Sequence, residues 1–250
     1  MSRRTRVAGR NAVVTGASSG IGAAVAERLA AMGCPLVLVG RDRDRLAAVR
    51  ARTGGRAVVA DLGTARGVES VAEAAVDWVE LLIHVAGIGW AGPLADTPAT
   101  TVDELMAVNL GAPVQLTRAL LPTLRAADGH VVFVASIAAI GVANEAVYAA
   151  TKAGLRGFAD AVRLESGVGV TTVLPGVVAT EYFRRRGTAY HRRFPRMVPP
   201  QRVAAGLVGA VEGGKAEVFV PRWLTLGARV HGAAPATFAR LSRRFDPPAR

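Results

Sequence analysis

The chain reads as an α/β protein built on a doubly wound, mostly parallel seven-stranded sheet with helices on both faces. Three observations predict it. From Asn11 to about Val220, short apolar runs alternate with longer segments of helical period, the pattern of parallel strands joined by helical crossovers. Gly or Pro punctuates several of the junctions, as at Gly33 and Pro35. The 250 residues, 51% hydrophobic and 20% charged, suit one large core better than two small ones, so residues 1–250 are expected to form a single domain.

In order, the first strand is predicted at 11–15 around Ala12-Val13-Val14, and a helix over 21–32 ends at Gly33. Leu36-Val37-Leu38-Val39 makes the second strand, 35–39, and the alternating charges Arg41 to Arg45 suit the exposed start of a helix over 43–52. Strands at 56–60 and 80–85 flank a helix at 66–77. A long helix, 99–125, leads to the strand 130–135, and a helix over 146–165 leads to the strand 169–174. A helix at 200–212 and a strand at 217–220 close the alternation. Right-handed crossovers then place helices on both faces of the sheet. Residues 181–198 break the rhythm with Arg184, Arg185, Arg186, Arg192, Arg193 and Arg196 among Tyr182, Phe183, Tyr190 and Phe194; they read as an insertion outside the core, and 181–200 as a basic lid. The tail, 223–250, reads as amphipathic helix ending in a frayed terminus.

Composition excludes several classes. No window offers about 18 uninterrupted apolar residues, and no signal-peptide core follows the basic start, so a cytoplasmic protein is expected. The one cysteine, Cys34, excludes an internal disulfide and a cysteine-rich zinc site and is expected to pack. His84 reads as a buried strand histidine; His130, His191 and His231 lack metal-ligand spacing, and no metal is expected. The net charge of +12 is unevenly spread: residues 1–180 hold 17 basic and 15 acidic side chains, residues 181–250 hold 14 and 4. A solvated lid and tail is the favoured reading of that surplus. The rival is a patch for an anionic membrane surface, with no specific nucleic acid expected. Of the 31 basic residues only Lys152 and Lys215 are lysine.

Thr15-Gly16-Ala17-Ser18-Ser19-Gly20-Ile21-Gly22 joins the first strand to the first helix. In that position Gly16 permits the turn, Gly20 admits a pyrophosphate to the backbone amides, and Gly22 lets the helix pack closely, its N-terminus facing the anion. No Gly-Lys-Ser/Thr follows, which excludes a nucleoside-triphosphate P-loop. After the second strand, where an acidic residue would hold an adenosine ribose, stand Gly40 and Arg41; Arg41 favours a 2'-phosphate, hence NADP(H) with NAD(H) as the alternative, or is a solvated arginine. Ser19 is neutral and adds no second cation. Asp61-Leu62 ends the third strand, where it binds an adenine edge or caps the next helix.

Tyr148 and Lys152 lie four residues apart, on one helix face. A tyrosine of ordinary pKa about 10 is a weak base at neutral pH, and a nearby ammonium favours its phenolate. Lys152 also has donors for ribose hydroxyls. Ser136, ending the fifth strand, offers a hydroxyl to a substrate oxygen beside Tyr148. Asn109, polar and a poor helix former in an apolar stretch, is expected to kink its helix around a water that relays protons to Lys152.

Thr15 to Gly22 as TGxxxGxG, Asp61, Ala86-Gly87, Asn109, Ser136, Tyr148-x-x-x-Lys152 and Pro175-Gly176 with Thr180 strongly resemble the short-chain dehydrogenases/reductases over about residues 8–221. The resemblance implies a Rossmann-like domain with Tyr148 as general acid/base, Ser136 orienting substrate, and Lys152 and Asn109 completing a tetrad. It implies cofactor contacts from Gly16, Ser18, Ser19, Gly20, Ile21, Gly22, Arg41, Asp61, Leu62, Asn109, Tyr148 and Lys152. Ala86-Gly87 would flank the adenosine ribose, and Pro175, Gly176, Val178 and Thr180 would hold the nicotinamide amide. Two departures stand out. His84-Val85 replaces the family's Asn-Asn, leaving the usual strand support in question, and the Ser136 to Tyr148 spacing is one residue short, predicting a tighter loop at 137–147. The expected activity is NADP(H)-dependent hydride transfer to or from a carbonyl or secondary alcohol of an apolar substrate. Trp90, Tyr182, Phe183, Phe194 and Met197 are the candidate pocket residues. A homodimer or homotetramer is implied by the resemblance; a regulator or scaffold that binds NADP(H) without turnover is the rival function.

Overall fold

A computed structural model describes residues 4–188, 190, 195–238 and 240. Arg192, Arg193, Phe194 and His191 of the expected lid, and the tail beyond Arg240, lie outside the described residues.

Seven strands form one sheet: β1 (Ala12–Thr15), β2 (Leu36–Gly40), β3 (Arg56–Val59), β4 (Leu81–His84), β5 (His130–Val134), β6 (Gly169–Pro175) and β7 (Glu217–Val220), in the order β3-β2-β1-β4-β5-β6-β7. Every neighbouring pair is parallel. A parallel sheet needs cover on both faces, and the strands accordingly carry Val, Leu and Ile on either side. On one face lie α1 (Gly20–Ala31), α2 (Arg43–Thr53) and α8 (Pro200–Glu212), joined by a core that includes Leu29, Leu38, Leu46, Val203 and Leu207. On the other lie α3 (Ala65–Glu73), α5 (Ala112–Ala126) and α6 (Ala146–Glu165), packed through Val71, Leu116, Leu120, Leu124, Leu155 and Phe133. Strand order reverses between β1 and β4, which opens a crevice at the carboxyl ends of the strands.

The long helix expected over 99–125 is three pieces. An α-helix, α4 (Ala99–Met106), widens into a π-turn, Ala107–Gly111, and continues as α5. Such wider turns absorb an extra residue and are common at functional sites. The segment taken as lying outside the core is partly built into it. It contains the short helix α7 (Tyr182–Arg185), and buried Val198 bridges Val178 and packs in the core of the first face. The tail begins with α9 (Leu224–Ala233), whose Leu224 packs on Phe219 and Leu174.

Candidate active site

The crevice holds a cavity of about 920 Å³. Every residue predicted to be catalytic or to contact cofactor, except Asn109, lines it, from Gly16 and the β1–α1 turn at one side to Ser136, Tyr148, Lys152 and Thr180 at the other.

The glycine turn is shaped by close backbone approach. A Cβ on Gly16, at φ +67°, would stand 2.8 Å from the backbone of Ala86, and one on Gly22 would stand 2.1 Å from the Gly16 carbonyl oxygen. Helix α1 starts at Gly20 without a side-chain cap, because the hydroxyl of Ser19 accepts instead from Arg185 Nη2 at 2.9 Å. The first amides of α1 therefore face the cavity, where the positive end of the helix suits a phosphate. This donor set fits the pyrophosphate of a dinucleotide. Asp61 does not cap α3: Thr64 does, accepting from Gly67, while the Asp61 carboxylate accepts from Gly63 and stays in the cavity wall with Leu62.

The departure at His84-Val85 has a structural answer. The Thr15 hydroxyl accepts from the amides of Val85 and Ala86 at 3.0 and 3.1 Å, and the His84 ring bonds the Thr117 hydroxyl at 3.0 Å while stacking on Phe133. Complete burial, with the charge of Lys152 second, pushes the His84 imidazole down to about 3, so it is neutral. His130 is likewise buried between Thr5 and Thr171, and burial lowers it to about 4. Among the described residues no three His, Cys, Asp or Glu side chains converge as a metal site. Cys34 is buried and free.

At the other end, α6 carries Tyr148 and Lys152 beside the end of β5. Lys152 is 4% exposed, donates to the Val134 carbonyl at 3.1 Å, and lies 5.8 Å from the centre of the Tyr148 ring. Burial pushes its ammonium down to about 8. Tyr148 departs from expectation: burial pushes its phenol above the ordinary value. The groups that work against this are the hydroxyls of Tyr182 and Ser136 and the charge of Arg186. Ser136 begins a 3-10 turn, Ile137–Ile140, its hydroxyl accepting from Ala138 at 3.1 Å.

Asn109 sits in the π-turn, fully buried, and its amide clamps the loop after β4. Oδ1 accepts from Ile88 N at 2.8 Å, and Nδ2 donates to Ile88 O at 3.0 Å and to Thr151 Oγ1 at 3.2 Å. Its helix widens here, and its side chain holds the Ile88 backbone and the Thr151 hydroxyl beside Lys152. A Cβ on Gly87 would stand 3.2 Å from Asn109 Oδ1 and 3.4 Å from Lys152 Nζ, so these groups share one small volume.

Of the apolar candidates, Tyr182 and Phe183 line the cavity, with Ile88, Ile137 and Val142. Trp90 and Met197 do not. Trp90 packs with Leu105 and Ala138 behind Tyr148, and Met197 is 38% exposed. The Tyr182 and Tyr148 rings lie 5.8 Å apart, and the buried Tyr182 hydroxyl forms no hydrogen bond of normal geometry. Beside them Arg186 pairs with Glu145, tying α7 to the start of α6; both side chains are largely buried, at 10% and 14% exposed. Sequence reasoning missed Glu145, Arg45 and the inward role of Arg185. Their only signal was charge, which in the basic segment at Arg185 and in the alternating run at Arg45 looked like solvated surface.

Comparison with known proteins matches the family model described as "short chain dehydrogenase" to residues 10–191. An uncharacterized oxidoreductase of Staphylococcus epidermidis is 31% identical over 210 residues, covering 80% of this chain and 90% of its own. Among solved structures, a short-chain dehydrogenase from Burkholderia cenocepacia in complex with NADP superposes with a TM-score of 0.83 at 27% identity, covering 95% of this chain and 99% of its own. One from Sphingobium yanoikuyae in complex with NADPH gives 0.79 at 28% identity, covering 91% and 95%.

Proposed function

The chain belongs to the short-chain dehydrogenase/reductase family and is an oxidoreductase of CH–OH groups that uses a nicotinamide dinucleotide; on that premise we propose that it is NADP(H)-dependent and acts on apolar ketones or secondary alcohols, with Tyr148 as general acid/base. The observation that carries the reading is the meeting of Ser136, Tyr148 and Lys152 on one cavity with the glycine turn. Arg41 on the cavity rim, and the NADP and NADPH held by the two solved relatives, support the 2'-phosphorylated cofactor.

The amides of the β1–α1 turn would hold the pyrophosphate, Asp61 and Leu62 the adenine edge, Ala86 and Gly87 the adenosine ribose, Lys152 the nicotinamide ribose, and Pro175 to Thr180 the carboxamide. The nicotinamide, when bound, gives or takes hydride. Tyr148 gives its phenolic proton to the carbonyl oxygen in reduction and takes it from the alcohol in oxidation. Ser136 Oγ binds that same oxygen and orients it. The ammonium of Lys152 favours the phenolate once the proton has left, offsetting the burial that opposes ionisation. Asn109 serves this chemistry by position, holding the Ile88 backbone beside Lys152. Ile88, Ile137, Val142, Tyr182 and Phe183 give the reacting end an apolar lining, and residues 181–188, anchored through Arg186 and Glu145, would cover it and exclude water.

Absorbance of the reduced nicotinamide, followed over a panel of ketones and alcohols with both cofactors, tests this. Turnover with NADPH at a kcat/KM well above that with NADH is expected. Equal use of both cofactors would defeat the cofactor assignment, and binding of NADPH without turnover of any carbonyl would favour a regulatory role instead.

A further inference from the structure

The geometry points to Arg185, on the lid helix α7, as a second cation for the 2'-phosphate of NADP(H), so that this phosphate draws the lid onto the cofactor. The inference rests on the NADP(H) reading above and adds a residue from a distant part of the chain.

Arg185 lies 166 residues from Ser19, yet its Nη2 donates to the Ser19 hydroxyl at 2.9 Å, and both line the cavity with Ser18, Arg41 and Arg45. Partial burial, and after it the charges of Arg45, Arg41 and Arg184, make the guanidinium easier to deprotonate. Among the described residues the carboxylate acting on it is Asp42. Asp42 is engaged elsewhere, accepting from the Arg45 amide as the cap of α2 and pairing with the Arg45 side chain at 3.0 Å. Neither Arg41 nor Arg185 forms an ion pair among the described residues. The neighbouring lid arginines differ: Arg184 pairs with Glu181 and Arg186 with Glu145. Arg185 therefore spends one donor on a neutral hydroxyl and brings its charge to others of the same sign on the cavity wall, Arg41 and Arg45, besides its neighbour Arg184. Like charges gathered at a cavity wall oppose one another until an anion sits between them, and a guanidinium fork suits a phosphate. The site expected for that anion, beyond the end of β2 at Gly40 and Arg41, is the side of the cavity that these residues line.

The full chain is titrated calorimetrically with 2',5'-ADP, 5'-ADP and 5'-AMP, as wild type, Arg185→Met and Arg41→Ala. Arg185→Met is expected to weaken 2',5'-ADP about tenfold, the loss of one charge-assisted hydrogen bond, and the other two nucleotides less than about twofold. In limited trypsin digestion, 2',5'-ADP is expected to slow cleavage after Arg184, Arg185 and Arg186 of the wild type, with 5'-AMP having no such effect. Equal weakening of 2',5'-ADP and 5'-ADP would assign Arg185 to the pyrophosphate and overturn the inference. So would a preference for 2',5'-ADP that Arg41→Ala abolishes and Arg185→Met retains, which leaves the NADP(H) reading intact. A wild type that does not distinguish 2',5'-ADP from 5'-AMP would remove the NADP(H) reading and the inference together.

Discussion

Gly22→Ala is the sharpest test of the phosphate cradle proposed for the glycine turn. The added methyl would lie 2.1 Å from the Gly16 carbonyl oxygen and 2.6 Å from its carbon, where ordinary contacts begin at about 3.4 Å. Helix α1 and the turn must therefore separate by about 1 Å, and backbone, unlike a side-chain tip, has no rotamer to escape into. Gly16 has little room to yield on its other side, since even a Cβ added to it would stand only 2.8 Å from the Ala86 backbone. The overpacking should cost about 1–3 kcal/mol, a fall in Tm of roughly 2–12 °C for a chain of this size. Separation also withdraws the α1 amides from the pyrophosphate, so NADPH affinity should fall at least about tenfold, as when one charge-assisted hydrogen bond is lost. Thermal melting and a fluorescence titration with NADPH measure both effects. Gly209→Ala is the control: it is exposed on α8 with no atom within 4 Å of a new Cβ, and should stabilise by roughly 0.5–1 kcal/mol. A Gly22→Ala protein with wild-type Tm and affinity would refute the reasoning, because α1 would then not press on the Gly16 turn.

Other outcomes follow from the same site. Tyr148→Phe should lower kcat by about 10²–10⁴ with NADPH affinity kept, and near-normal turnover would show that another group moves the proton. Lys152 loses its native proton near 8 and its unfolded one near 10.5, so the cost of burying its charge is full below pH 8 and relieved as pH rises between those values. NADPH affinity should accordingly decline above pH 8 in the wild type and be flat there in Lys152→Met; parallel pH profiles would exclude Lys152 as the source. Glu145→Gln leaves Arg186 a largely buried, unpaired cation, and at about 3–5 kcal/mol for breaking such a pair the lid should detach, raising KM more than it lowers kcat. Loss of kcat alone would place Glu145 in the chemistry rather than the latch. Tyr182→Phe removes a buried hydroxyl with no well-formed hydrogen bond and should raise Tm by about 2–4 °C; a lower Tm would mean that the hydroxyl is held.

Much of this was legible in the chain. Parallel strands buried on both faces must be apolar along their length, and crossovers must be helical, so all seven strands were found within a residue or two of their observed ends. The glycines of the first turn were legible because only a residue without Cβ tolerates the approach of Gly16 to Ala86 and of Gly22 to Gly16. The π-turn was not, because Asn109 in an apolar helix signals an irregularity without saying whether the helix bends or widens. Nor was the role of Trp90, since an aromatic after a strand packs behind a pocket as readily as in front of it.

By itself the sequence determined the doubly wound sheet, the place of the glycine turn and the order of Ser136, Tyr148 and Lys152, because periodicity, glycine geometry and helical spacing are local properties. Only the tertiary structure decided how charges and protons are held. Burial, a property of the packed whole, raises the Tyr148 phenol and lowers the Lys152 ammonium. The basic segment that looked like uniform solvated surface resolves, among its described residues, into Arg184 paired with Glu181, Arg186 latched to Glu145, and Arg185 turned to Ser19. The last two of these contacts join residues far apart in the chain, and no local pattern encodes a partner that arrives only when the chain has folded.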